Sequence, residues 1–139
     1  MQKKLKKQSG QAIIEFAIII PFFIFMLMGF EYLSMLCHDY LTLTEMARAA
    51  ARKAAVGTMT NDDIRTYYGN TGFFTEIYTL NTKSTDDFKI EVKTETPNST
   101  SQMVIVTLTA RRAIGNLDIM GMDLSLPATI QTSLAMHKE

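Results

Sequence analysis

The sequence has one cysteine and no excess of either charge. A single cysteine excludes an internal disulfide framework and a cysteine-rich zinc site. Lysine plus arginine and aspartate plus glutamate both total 14, so the chain lacks the basic character of a general nucleic-acid binder. Hydrophobic residues make up 47% of the chain, which is too many for a disordered protein. A length of 139 residues leaves room for one modest domain.

Motifs that carry known catalytic chemistry are also missing from the sequence. It contains no G-x-S-x-G, no H-E-x-x-H, no phosphate-binding P-loop and no dinucleotide-binding fingerprint. Asp62 and Asp63 are adjacent, but the D-x-D-x-D-G spacing of a calcium loop is absent. Cys37 and His38 are neighbours, so their side chains point in different directions on a helix. We therefore expect a protein that is not an enzyme, with no cofactor and no metal.

Charge and hydrophobicity are distributed very unevenly along the chain. Residues 1–10 contain four lysines and no acid, whereas the 26 residues of Ala12–Cys37 contain only two charges, Glu15 and Glu31. A bilayer core is crossed by about 20 apolar helical residues. The pattern predicts a transmembrane helix over 11–37, with the lysines in the cytoplasm and the remainder of the chain outside.

Three kinds of segment combine a basic start with an apolar run. A secretory signal peptide needs small residues after the run, and 36–39 (Leu-Cys-His-Asp) has no A-x-A pattern. A plain single-span anchor has no use for Glu15, because a carboxylate at the centre of a membrane helix costs about 2.5–3.5 kcal/mol. A prepilin-type leader, cut after Gly10, explains this carboxylate. Gln11 would become the first residue, with its new α-amino group one helical turn from Glu15.

These residues resemble a known family. Gly10-Gln-Ala-Ile-Ile-Glu-Phe16 resembles the processing site of type IV-like pilins and pseudopilins, and the continuation to Pro21 is similar to TadE-like proteins of the Tad (Flp) pilus system. The acidic-aromatic segment 29–32 and the alanine- and arginine-rich segment 47–55 match the family, as does the ending 133–139. Leu33-Ser34 departs from the family's Gly-Arg. The resemblance is strong over 10–57, weak at the C-terminus and absent over 58–125.

The resemblance implies a structural role as a TadE-like minor pilin or pseudopilin that takes part in adhesion, surface colonisation or secretion. A prepilin peptidase would cut between Gly10 and Gln11, and Glu15 and Phe16 would take part in assembly. The implied partners are that peptidase, other pilin or pseudopilin subunits, the pilus assembly platform and the lipid bilayer, with no nucleic acid. The protein would reside in the bacterial cytoplasmic membrane and, after assembly, in a pilus.

Two alternatives remain open at this point. One is a major filament pilin, although an outer domain of about 80 residues favours a minor subunit over the short major pilins of Tad systems. The other is an uncleaved single-span membrane module that binds a ligand through its outer domain. An uncleaved module would keep residues 1–10.

Pro21 lies within the predicted membrane helix. Proline has no backbone N–H to donate, so it frees the carbonyl oxygen of Ala17. The sequence therefore predicts a kink in the helix at Pro21.

An amphipathic helix should continue beyond the apolar run, over residues 38–57. Its apolar or small residues recur at spacings of three and four, at Leu36, Tyr40, Leu43, Ala47, Ala50 and Ala54. The alanines predict a sheet packed close to the helix backbone. We expect Arg48 and Arg52 to be solvated or paired with acids, and Gly57 to cap a helix that starts near Ala12.

The polar part of the chain, 58–139, predicts a small α+β domain outside the membrane. Thr60 or Asn61 should cap a short helix, with 67–72 as a loop. Strands are predicted at Phe88–Lys93, Met103–Ala110 and about Ala128–Met136, with a turn at 96–100 and a further edge strand within 74–80. Residues 103–110 are apolar on both faces, as in a more buried strand.

The predicted fold class is thus α+β and pilin-like. A long N-terminal helix, transmembrane in its first half, would pack its second half on a small antiparallel sheet. The chain divides into a leader (1–10), a transmembrane helix (11–37), its amphipathic continuation (38–57) and an outer domain (58–139).

Overall fold

The computed structural model describes residues 2–57, 59–69, 77–94, 101–113, 115, 117–119, 122–124 and 126–138, with residues 2–9, 117–119 and 122–124 described by their backbone. The elements in chain order are α1 (Gln2–Val56), α2 (Asn61–Gly69), β1 (Tyr78–Thr79), β2 (Phe88–Thr94), β3 (Gln102–Arg112), β4 (Leu117–Ile119), β5 (Met122–Leu124) and β6 (Thr129–His137). The chain divides into two compact units, Met1–Met35 and Leu36–Glu139. The observed arrangement is α+β, as predicted.

Helix α1 begins earlier than predicted, at Gln2 instead of Ala12. Lysine, leucine and glutamine are all good helix formers, so the leader residues extend the helix. The helix ends where the sequence indicated. Gly57 has a φ of 69°, the left-handed conformation that terminates helices, and Lys53 lies in the last turn near the negative end of the helix dipole.

The second unit buries one face of α1, and that face differs from the predicted stripe. The buried apolar side chains are Leu43, Met46, Ala47, Ala50, Ala51 and Ala55. Tyr40, predicted in the stripe, is 49% exposed, and Ala54 is only half-buried. Asp39, which lies outside the predicted stripe, is fully buried. The buried face is therefore rotated by about one residue relative to the predicted stripe.

Helix α2 has the predicted cap. The backbone N–H of Asp63 donates to Thr60 Oγ1 at 3.3 Å, and the backbone N–H of Thr60 donates to Asp63 Oδ2 at 3.3 Å. This reciprocal pair is a capping box with aspartate at its third position. The helix then runs further than expected, because residues 67–69, predicted as loop, form its last turn.

Tertiary contacts explain that extension of α2. Tyr68 is buried and its ring stacks on that of Phe88, with centroids 6.2 Å apart. Lys53 Nζ lies 3.3 Å from the centroid of the Tyr67 ring, a cation–π contact from α1. Burial and the neighbouring Tyr67 hydroxyl raise the pKa of Tyr68. Residues 70–72 of the predicted loop lie outside the described residues.

Strand β3 is the centre of the main sheet. It pairs antiparallel with β2 in the register Phe88↔Leu108 and antiparallel with β6 along its opposite edge. The short β1 pairs with the end of β3, at 111–112, beside β2. The predicted hairpin and third strand are therefore confirmed, and part of the predicted edge strand is present. The separate hairpin of β4 and β5 was not predicted.

The sheet buries only one of its two faces within the described structure. Val104, Val106 and Leu108 are fully buried, and the alternate residues Met103 and Ile105 are half-buried. Strand β3 is thus more buried than β2, as the sequence predicted, although its alternate residues are only partly covered. The flanking side chains explain this, since the outer face of the sheet carries mostly charged and polar residues: Lys89, Glu91, Lys93, Gln131 and Ser133.

An ion pair links the residue before β2 to the end of β3. The guanidinium of Arg111 donates to the buried Asp87 through Nε at 3.0 Å and through Nη2 at 2.8 Å. The backbone N–H of Thr109 also donates to the carbonyl of Asp87 at 2.8 Å. The hydrogen bonds and the charge of Asp87 raise the pKa of Arg111.

Candidate functional site

The predicted cleavage site lies within α1. Gly10 is exposed, and outside the helix's own backbone nothing lies within 4 Å of the position that a Cβ would occupy. Glycine is among the poorest helix formers, and local unwinding is least costly at such a residue. The predicted cleavage between Gly10 and Gln11 stays a prediction.

Gln11 and Glu15 are brought together on one face of α1. The side-chain amide of Gln11 donates to Glu15 Oε1 at 3.5 Å, one helical turn away. Both side chains are exposed, as is Phe16 on the following position. The geometry places the Gln11 backbone and the Glu15 carboxylate on consecutive turns. The predicted pairing with a new N-terminus stays a prediction.

The helix continues without interruption through Pro21. This observation does not test the predicted kink, because a helix that bends at a proline can remain helical on both sides of the bend. The kink at Pro21 stays a prediction.

The apolar run of α1 is exposed along its length within the first unit. The helical segment Gly10–Val56 is long enough and apolar enough to cross a membrane, by length and composition. None of its most apolar 18-residue stretch is buried. Phe22, for example, is 70% exposed. A core helix of a soluble domain would bury such residues. The exposure instead suits a helix surrounded by lipid or by other helices.

The second unit begins with a buried carboxylate and an apolar groove. His38 Nδ1 lies 3.5 Å from Oδ1 of the buried Asp39. The groove has a volume of about 370 Å³ and exposes only apolar surface, from Leu36, Cys37, Tyr40, Leu41, Pro127 and Ile130. Cys37 is a free, exposed thiol. No pattern in the sequence indicates that Asp39 is buried, because it lies outside the apolar stripe predicted for this part of the helix.

A polar cleft lies between α2 and the segment that leads to β2. Its volume is about 360 Å³, and its walls carry Asp62, Arg65, Gly69, Thr82, Lys83 and Thr85. Residues from two separate parts of the chain form it, so no motif in the sequence indicates it. Among the residues that the structure describes, no cluster of histidine, cysteine or acidic side chains could hold a metal ion.

These features define an α+β protein with a long, exposed apolar helix at its N-terminus, as in proteins anchored by a single span. A family model described as TadE-like protein matches residues 10–52. The match starts at Gly10 and covers Glu15 and Pro21, so the resemblance noted from the sequence is confirmed over this segment, which is less than a third of the chain. No curated protein and no solved structure matches the chain.

The match to TadE-like proteins is confined to this N-terminal segment. It includes the whole apolar run and the start of the buried face of α1 in the second unit. Strands β1–β6 lie outside the matched residues. The chain after residue 52 therefore has no counterpart in the comparison, and its role must be argued from its own residues.

Proposed function

We propose that this protein is a TadE-like minor pilin or pseudopilin, made as a precursor and processed by a prepilin peptidase between Gly10 and Gln11. The family match over residues 10–52 carries the proposal. The processed subunit takes part in assembly of a Tad-type pilus and thereby in adhesion, surface colonisation or secretion.

Glu15 supplies the physical argument for processing. A carboxylate inside an apolar run is costly unless it finds a cation. Removal of residues 1–10 creates an α-amino group on Gln11, whose side chain already reaches Glu15. The amine can neutralise Glu15 of the same chain or of a neighbouring subunit. The new helix N-terminus also favours a nearby anion through its dipole.

The exposed apolar run serves both the membrane and the assembled state. Lipid tails and the side chains of neighbouring helices are similarly apolar, so transfer between the two surroundings changes little in solvation. The four lysines before Gly10 would hold the N-terminus in the cytoplasm, which leaves the unit Leu36–Glu139 outside. The subunit would thus wait in the cytoplasmic membrane before joining other subunits at the assembly platform.

The first experiment maps the N-terminus of the membrane-extracted protein by intact mass and terminal sequencing, with and without the peptidase. We expect a start at Gln11 that depends on the peptidase and is lost in Gly10→Ala. Gly29→Ala is the matched control, because this glycine lies in the same helix and also has open space around it. An unprocessed start under both conditions would contradict the proposal and favour an uncleaved membrane module.

A second experiment separates processing from assembly. Glu15→Gln removes the charge and keeps the shape, so we expect normal cleavage but loss of the subunit from pili, measured by immunoblot of sheared filaments. Glu31→Gln, the other acid in the apolar run, is the matched control and should assemble. The molar ratio of this subunit to the main filament protein distinguishes a minor from a major pilin.

A further inference from the structure

We propose that the cleft between α2 and residues 82–85 binds an anionic, hydroxyl-bearing ligand, of the class of phosphorylated or carboxylated saccharides. The proposal goes beyond the pilus role and does not depend on processing at Gly10. The cleft's volume of about 360 Å³ lies at the lower end of the range for small-molecule sites. Its size suits one sugar unit with its acidic group.

Arg65 provides a cation that is already held in place. Its Nε donates to the carbonyl oxygen of Phe88 at 3.1 Å, and its Nη1 donates to Asp62 Oδ1 at 2.9 Å. The side chain is mostly buried, with 16% exposed. No contact of Nη2 with another described residue is seen. A fixed guanidinium with unused N–H groups is well suited to an oxyanion, because little side-chain entropy is lost when it binds.

Lys83 provides a second cation in the cleft. Its backbone N–H donates to Asn81 Oδ1 at 3.2 Å, and the N–H of Ser84 donates to the carbonyl of Asn81 at 3.1 Å, so a tight turn positions the residue. Within the described part of the chain, its ammonium has no carboxylate within ion-pair distance. Together with Arg65 and Asp62 it gives the cleft a net charge of +1, which favours an anion.

The threonines supply hydrogen-bonding groups for ligand hydroxyls. Thr66 donates its own hydroxyl proton to the carbonyl of Asp62 at 2.9 Å and keeps lone pairs that can accept from a ligand. Thr82 is buried to nine-tenths, and Thr85 lies on the same wall. Asp62 adds a carboxylate that can accept from a sugar hydroxyl. A bare anion would leave these acceptors unused.

Gly69 shapes the wall of the cleft. A Cβ at this position would lie 2.6 Å from Thr82 Oγ1, which is closer than the atoms can approach. The end of α2 and Thr82 therefore lie in contact only because residue 69 has no side chain. Gly69→Ala must displace the Thr82 side chain, and we expect weaker ligand binding without loss of the fold.

The proposal is tested by amide chemical-shift titration of the full chain in detergent micelles at low salt. The probes are glucose 6-phosphate, glucuronate, inorganic phosphate and glucose. We expect shifts at Thr66, Gly69 and Thr82 with the two acidic sugars and weaker binding of glucose. The tighter of the two acidic sugars identifies phosphate or carboxylate as the anionic group.

The decisive variant is Lys83→Met, which keeps the apolar stem and removes the charge. We expect about tenfold weaker binding of the acidic sugar, as for loss of one charge-assisted hydrogen bond. Lys93→Met is the matched control, because this exposed lysine lies on β2 and outside the cleft. Equal binding by both variants would overturn the proposal.

Two other outcomes would also overturn it. Inorganic phosphate that binds as tightly as the sugar phosphate would show a simple oxyanion site and reject the saccharide class. Shifts that fall outside the cleft would place binding elsewhere. Each result is independent of the N-terminal mapping, so failure here leaves the proposed pilus role intact.

Discussion

The two units of the chain differ in how far they bury large apolar side chains. Phe22, in the unit Met1–Met35, is 70% exposed, whereas Phe88, in the unit Leu36–Glu139, is fully buried between α2 and the sheet. Soluble proteins rarely expose large contiguous apolar surfaces. The first unit therefore needs an apolar environment from outside the chain, whereas the second provides its own core.

This contrast separates what each unit contributes to stability. In the second unit, the removal of apolar side chains from water lowers the free energy of the folded state. In the first unit, side chains remain in contact with whatever surrounds the helix, so their substitution changes that contact and leaves the core intact. Substitutions matched in chemistry and differing in location test this difference.

The largest effect is expected for leucine truncation. Leu43→Ala, at a fully buried position of α1, should lower the free energy of unfolding of the second unit by about 2–5 kcal/mol, because it removes apolar contacts and leaves a cavity. Leu33→Ala, in the same helix at a position 53% exposed, should leave it within about 0.5 kcal/mol of the original. Urea unfolding in detergent, followed by circular dichroism, measures both. Equal losses would refute the contrast between the units.

A smaller effect is expected at the end of α1. Gly57→Ala should destabilise the second unit by about 1 kcal/mol, since alanine is strained at a φ of 69°. Gly29→Ala changes a helical glycine of the first unit and should not lower the same unfolding transition. The two variants are compared by thermal unfolding. A loss in Gly29→Ala would mean that the first unit contributes to the transition.

The cap of α2 sharpens the comparison within the second unit. Thr60→Ala removes the two hydrogen bonds between the Thr60 hydroxyl and Asp63, one of which belongs to the capping box, and should cost about 1 kcal/mol. Thr44→Ala is the control, because the Thr44 hydroxyl donates to the carbonyl of Tyr40 inside a helix that does not need it. We expect no loss of stability for Thr44→Ala in the same urea unfolding. A loss of stability as large as that of Thr60→Ala would show that the cap contributes no more than a hydroxyl hydrogen bond inside a helix.

The smallest effect is expected on the outer face of the sheet. Lys89 Nζ lies 2.6 Å from Glu91 Oε1, and this hydrogen bond, together with the charges of Lys89 and Lys93, lowers the pKa of Glu91. A carboxyl group whose pKa is lowered on folding stabilises the protein above its unfolded pKa, near 4.5, and loses that contribution as pH falls through the folded pKa.

Glu91→Gln therefore should lower the melting temperature slightly at pH 7 and hardly at all at pH 3. Thermal scans of the wild type and the variant across this range measure the difference. Exposed ion pairs contribute little, so we expect a change of about one degree or less at pH 7. A constant difference at both pH values would point to packing of the side chain and not to its charge.

Local patterns were enough to predict several elements. Neighbouring residues indicated a cap at Thr60 or Asn61, the end of α1 at Gly57 and the alternation of Phe88–Lys93, because caps, turns and strand faces depend on short-range geometry. The proposed cleavage site at Gly10 and its pairing with Glu15 also come from neighbouring residues and stay predictions. One helical turn relates Gln11 to Glu15 in any helix.

Other features needed the packed structure. The last turn of α2 forms because Tyr68 stacks on Phe88 and Lys53 covers Tyr67, contacts that join residues far apart in sequence. The one-sided burial of β3 likewise depends on the polar neighbours that β2 and β6 bring beside it. Spacing along a single strand does not reveal the side chains of its partners.

By itself, the sequence determined the apolar helix, its basic start and the carboxylate at position 15, because hydrophobic length and local charge decide how a segment meets a membrane. Only the tertiary structure decided that Asp39 is buried and that Arg65 and Lys83 share a cleft. Long-range packing sets which polar groups are buried and which come into contact. These contacts join residues far apart in the chain, so the order of residues alone does not reveal them.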